Sequence, residues 1–282
     1  MALLALVSSL LWGTADYLGG VLTRRRPALL VVAGVQVVGF ALAGTAVAVH
    51  GDSAWGAYLL WGVAAGVSIA IALSAFYQAL AVGTMAVVAP VAATGVAVPV
   101  VVSWAQGDRP TVLAVAGMAL AATGVLLASG LDVRRGESNR SALLLAAVAA
   151  LGFGSVLVFV DRATSGDGSS TLAVLATMRG TGAVLIGAAM VVRRTPRTLG
   201  RVDVPVIVVA GICDVGAIGL YALAAEGDAD LAVVAVLASL YPVVTALLAR
   251  QLLAERLNRG QVAGVAAALA GVVLIAASGA AG

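Results

Sequence analysis

Runs of about 20 apolar residues, separated by short polar or charged stretches, cover nearly the whole 282-residue chain. A run of that length matches a helix crossing the hydrocarbon core, whereas a membrane strand needs about ten residues of alternating character. Lipid offers backbone N–H and C=O groups no partner, so each run must satisfy its own hydrogen bonds, as a helix does. The pattern predicts ten spans at roughly 2–22, 28–49, 56–80, 85–105, 111–130, 141–160, 170–192, 204–225, 231–249 and 260–279. Between the third and fourth only Gly83 and Thr84 mark a turn, since no charge interrupts residues 56–105. The first run reads as a retained helix rather than a cleaved signal, because Arg24, Arg25 and Arg26 follow it instead of preceding it.

Composition removes the soluble alternative. The chain is 62% hydrophobic and 10% charged, against about 25% charged in soluble domains, so a water-facing surface could not be covered. The bilayer is thus the first expected partner, and no nucleic-acid partner is expected. Cys213 is the single cysteine, which excludes an intrachain disulfide and a cysteine metal cluster. All sixteen basic residues are arginine, so a P-loop lysine and Schiff-base chemistry are excluded too. One histidine, His50, and no H-E-x-x-H or G-x-S-x-G motif leave no basis for an enzyme, a metal site or a cofactor.

Arginine placement orients the spans. Thirteen arginines fall in the odd-numbered loops, among them Arg134, Arg135, Arg140, Arg193, Arg194, Arg197, Arg201, Arg250, Arg256 and Arg259. The even loops hold only Arg109 and Arg162, alongside Asp52, Asp108, Asp161, Asp167, Glu226, Asp228 and Asp230. By the positive-inside rule the odd loops are cytoplasmic and both termini lie outside.

The chain also repeats itself. Asp108-Arg109, Gly117 and Gly124 recur 147 positions on as Glu255-Arg256, Gly264 and Gly271. Tyr77 and Gly83 recur after 144 positions as Tyr221 and Gly227, and Trp12-Gly13-Thr14 is echoed after 141 by Phe153-Gly154-Ser155. A separation that grows along the chain is what small insertions in a duplicated unit produce. Five helices per unit is odd, so the second copy enters the membrane inverted. The expected fold is therefore an all-α integral membrane protein of ten transmembrane helices in two inverted five-helix repeats. Residues 1–130 form the first repeat, 131–140 a cytoplasmic linker and 141–282 the second. Inverted repeats are characteristic of secondary transporters, whose substrate site lies between the halves.

Leu10-Leu11-Trp12-Gly13, the run Tyr241-Pro242-Val243-Val244-Thr245-Ala246-Leu247-Leu248, and Ala254-Glu255-Arg256-Leu257 followed by Gly264 and Gly271 carry a family likeness. With them the chain resembles, over nearly its whole length, the EamA family of drug/metabolite transporters. The resemblance implies a ten-helix carrier of the bacterial inner membrane, often an exporter of amino acids or other small metabolites working by alternating access. The chain departs from the common pattern where Asp108 replaces glutamate before Arg109. The stretch Thr14 to Gly20 looks like a subgroup feature and names no substrate.

Three ionisable residues fall well inside the spans: Asp16, Arg179 and Asp214. Each costs about 2.5–3.5 kcal/mol at a helix centre, so each needs a partner, water or a proton. Ser9, Trp12, Asp16 and Gly20 share one face of the first helix. Asp16 is expected to face a hydrated cavity and exchange protons during transport. Arg179 and Asp214 have estimated depths differing by only about 3 Å on consecutive helices, so they can meet; the arginine fork suits a substrate carboxylate. Gln36 sits near the repeat position of Arg179, and Tyr77, Gln78 and Tyr221 are further candidate cavity lining. Pro90, Pro99 and Pro242 predict kinks. A non-transporting scaffold or oligomerising protein is the competing class, and a channel is disfavoured by the lack of a charge ring or carbonyl filter. A homodimer is compatible with the pattern, which does not determine it.

Overall fold

A computed structural model describes residues 2–50, 56–107, 109–128, 136–165, 168–225, 231–255 and 257–279. Of the residues used above, Asp52, Asp108, Arg134, Arg135, Asp167, Glu226, Gly227, Asp228, Asp230 and Arg256 lie outside these. The described residues form helices and connecting turns, with no strand among them: α1 (Ala2–Thr23), α2 (Ala28–His50), α3 (Leu59–Val82), α4 (Met85–Ala93), α5 (Ala97–Ala105), α6 (Val112–Ala128), α7 (Gly136–Thr164), α8 (Thr171–Val192), α9 (Asp203–Ala225), α10 (Leu231–Ala238), α11 (Tyr241–Leu252) and α12 (Arg259–Gly279). A 3-10 turn at Thr94–Val96 joins α4 to α5. Nine spans among the described residues are long and apolar enough to cross a membrane, counting α4 with α5 as Met85–Ala105 and α10 with α11 as Val233–Leu252. The apolar α6 is shorter, at 17 residues. Leu3, Val112, Val184 and Val192 are at least 70% exposed, as suits side chains solvated by lipid rather than water.

Two spans are broken near their middles, and prolines account for the breaks. Pro99 cannot donate to the carbonyl of residue 95, nor Pro242 to that of residue 238, and the α-helix gives way to a tighter turn at Thr94–Val96 and at Ser239–Leu240. Each break rests on a glycine of another helix. A β-carbon on Gly13 of α1 would strike the Tyr241 carbonyl and Val244, and one on Gly154 of α7 would strike the Gly95 carbonyl and Val98. Between α6 and α12 the backbones also come close: a β-carbon on Gly124 would collide with the backbone of Ala268, and one on Gly271 with that of Ala121.

In the bundle α6 lies along α12, α3 along α7, α1 along α9 and α2 along α8, while α2 also meets α9 and α3 meets α8. The broken spans touch through α4 and α11, with α1 against α10 and α11 and α7 against α4 and α5. Phe76, Leu80, Met85 and Val88 are fully buried where α3, α4 and α7 meet. At one end of the bundle Arg24 pairs with Glu255 at 2.6 Å and Arg26 with Asp203 at 2.7 Å. Glu255 also accepts from the Met85 and Ala86 amides at 3.2 and 3.1 Å, satisfying the free N–H groups at the start of α4. Ala254, with φ 53°, adopts the left-handed turn that swings Glu255 towards this contact.

Candidate functional site

An arginine in the apolar stretch of α8 has no water to solvate it, and the fold gives it partners instead. Arg179 is 2% exposed; its Nη2 lies 2.6 Å from Asp214 Oδ2 on α9, and its Nη1–H donates to Gln36 Oε1 on α2 at 2.9 Å. Glycines make the room. Gly39 lets the arginine stem lie along α2, where a β-carbon would come within 3.2 Å of Arg179 Cδ, and Gly182 leaves space for the Gln36 amide. Gln36 is fully buried, whereas the Asp214 side chain keeps 19% of its surface. The accessible part of this charge pair is therefore its carboxylate.

Asp16 of α1 lies within electrostatic reach of Asp214, Tyr77 and Tyr241. It is half-buried, and among the described residues it has neither an ion pair nor a hydrogen bond. One turn away Trp12 meets two rings, Tyr221 of α9 at 6.3 Å and 39°, and Tyr241 of α11 at 6.0 Å and 61°. The rings stand at angles to one another, so they form walls instead of a closed stack.

The other candidates divide between this cluster and its surroundings. Tyr77 is 2% exposed and turned inward, with Gly19 making room for its ring. Gln78, the next residue, is exposed on the outer face of α3 and joins nothing at the site. Ser9 is buried and spends its hydroxyl on the Leu6 carbonyl, 2.9 Å away on its own helix. Gly20 packs on Leu80 and Met85, so of the α1 stripe only Trp12 and Asp16 keep partly accessible side chains. Tyr241 joins the site although the sequence pattern marks it only within the Tyr241–Leu248 run of the family likeness. The signal was its position immediately before Pro242, where a broken helix turns a side chain inward. Ser8 and Thr245 also escaped notice; they donate to the Ala217 and Gly13 carbonyls at 2.7 and 3.2 Å, tying α1 to α9 and α11. No group of three or more His, Cys, Asp or Glu that could hold a metal occurs among the described residues.

The family model described as the EamA-like transporter family matches residues 140–277. A solved structure described only as the crystal structure of a protein is similar to this chain with a TM-score of 0.63 at 19% identity, over 96% of this chain and 94% of that one. At that identity the likeness concerns the fold alone. No curated protein matches the sequence.

Proposed function

The chain belongs to the EamA-like transporter family through residues 140–277, and from that premise we propose that it is a secondary active transporter. It exports a small metabolite, such as an amino acid or related compound, by alternating access, with proton movement coupled through Asp16. The carrying observation is the unpartnered Asp16 beside the Arg179–Asp214 pair. A scaffold has no use for an unpaired carboxylate at that cost in lipid.

In this reading the short α6 is also a span, making ten in two inverted units, residues 1–130 and 141–282, joined by 131–140. The packing supports it, because exchanging the units maps neighbours onto neighbours: α1 on α9 becomes α7 on α3, and α1 on α11 becomes α7 on α4 and α5. The glycine contacts follow the same exchange. Gly13 against Tyr241 and Val244 corresponds to Gly154 against Gly95 and Val98, at separations of 141 and 146 positions. Both helix breaks lie at the junction of the units, where inverted-repeat carriers place their substrate. The protein then sits in the bacterial inner membrane with both termini outside.

Reconstitution in liposomes tests this. A carrier shows saturation and counterflow; a scaffold shows neither. For Asp16→Asn the expected outcome is loss of proton-driven transport while counterflow persists at saturating substrate, since exchange of substrate for substrate needs no net proton release. Full proton-driven transport by Asp16→Asn would place the coupling elsewhere.

A further inference from the structure

The site's charges do not balance. When Asp16 is ionised, it and Asp214 bring two negative charges against the one positive charge of Arg179, which is already committed to Asp214 and Gln36 with 3% of its side chain exposed. An incoming anion would have to displace Asp214 and enter beside the unpaired Asp16. A positive ligand meets no such barrier. It would supply the counter-charge that Asp16 lacks among the described residues.

The surroundings of Asp16 distinguish among cations. A metal ion needs several oxygen ligands, and no metal-holding group of three or more side chains occurs among the described residues. What flanks Asp16 is aromatic. Trp12 lies four residues before it on the same face of α1, and Tyr221 lies seven after Asp214 on the same face of α9. Tyr241 closes a third side, with its ring 6.0 Å from that of Trp12. A carboxylate one helical turn from Trp12, whose ring meets those of Tyr221 and Tyr241, suits a cation that carries its charge on nitrogen and has apolar substituents for the ring faces.

We infer that the substrate of this site is an organic monocation, an alkyl- or arylammonium whose charge is met by Asp16 and whose apolar part lies against Trp12, Tyr221 and Tyr241. The inference rests on the transporter reading and narrows its substrate from amino acids and related compounds to amines that lack the carboxylate. A zwitterion of the same size fits less well, because its carboxylate restores the negative charge that its ammonium cancels.

Three probes that share an n-propyl group separate the classes: n-butylammonium, butyrate and norvaline. With the purified chain, millimolar n-butylammonium is expected to raise the apparent melting temperature saturably, as a ligand of the folded state does, while butyrate and norvaline leave it unchanged. Asp16→Asn should weaken n-butylammonium binding by more than about tenfold, and Trp12→Ala by about tenfold with Trp12→Phe retaining most of it. Should Asp16→Asn not fold, the two Trp12 variants carry the test. The cation assignment is overturned if n-butylammonium has no effect, if butyrate stabilises as well, or if both Asp16→Asn and Trp12→Ala bind undiminished. Counterflow in liposomes keeps this apart from transport itself. Counterflow of butyrate or norvaline without response to n-butylammonium retains the carrier and removes the cation; stabilisation by n-butylammonium with counterflow of none of the three retains the ligand and removes the carrier.

Discussion

Arg179 spends its guanidinium on two neighbours, Asp214 at 2.6 Å and Gln36 at 2.9 Å, inside a span that offers no water. Removing one member of such a pair strands the other, at a cost of about 3–5 kcal/mol, while removing both restores neutrality. We therefore expect Arg179→Ala and Asp214→Ala each to lower the apparent melting temperature sharply, and the double variant to recover part of the loss. Additive losses in this cycle would mean that the two side chains do not act on each other. The ionisable members of the cluster were legible in the sequence because a charge inside an apolar run has no innocent position. Depth along consecutive helices was enough to bring Arg179 near Asp214. Tyr77 and Gln78 were not separable by the same means. Lipid and protein interior are both apolar, so α3 carries no hydrophobic period to say which neighbour turns in, and only the packing sends Tyr77 inward and Gln78 out. Tyr241 was hidden for a related reason, since its direction depends on a break that proline announces without aiming.

Between helices the decisive residues are the smallest. Gly124 and Gly271 let α6 and α12 touch backbone to backbone, where association rests on close packing because lipid tails give no hydrophobic drive. Neither backbone can yield, so Gly124→Val is expected to lower the apparent melting temperature by several degrees, in line with an overpacking cost of about 1–3 kcal/mol; a surface change such as Val112→Ala, at a side chain 86% exposed, should leave it in place. Undisturbed melting of Gly124→Val would show that the helices separate without penalty. The same glycines, Gly117 and Gly124 with Gly264 and Gly271, are those that recur between the two parts of the chain. The breaks at Thr94–Val96 and Ser239–Leu240 were announced only as kinks near prolines. Their seating on Gly154 and Gly13 depends on how distant helices cross, which no local pattern encodes.

At the scale of the molecule, arginine placement and span number make one joint statement. Ten spans put both termini on one side and nine put them on opposite sides; the arginine excess in the odd loops then assigns that side to the exterior. Reporters that mature only outside the cytoplasm, fused in turn to each terminus, should both be active; a silent C-terminal fusion beside an active N-terminal one would favour nine. The ties joining Arg24 to Glu255 and Arg26 to Asp203 add something that neither count contains. Together with the packing of α1 on α9, α10 and α11, they bind the first helix to the later part of the chain, just as α7 is bound to α3, α4 and α5. In the proposed alternating access, the pieces that move against one another are consequently not the pieces that are contiguous along the chain. On that proposal each unit's opening helix belongs with the other unit, and cutting the chain between α6 and α7 is expected to yield two fragments that need each other to complete either body.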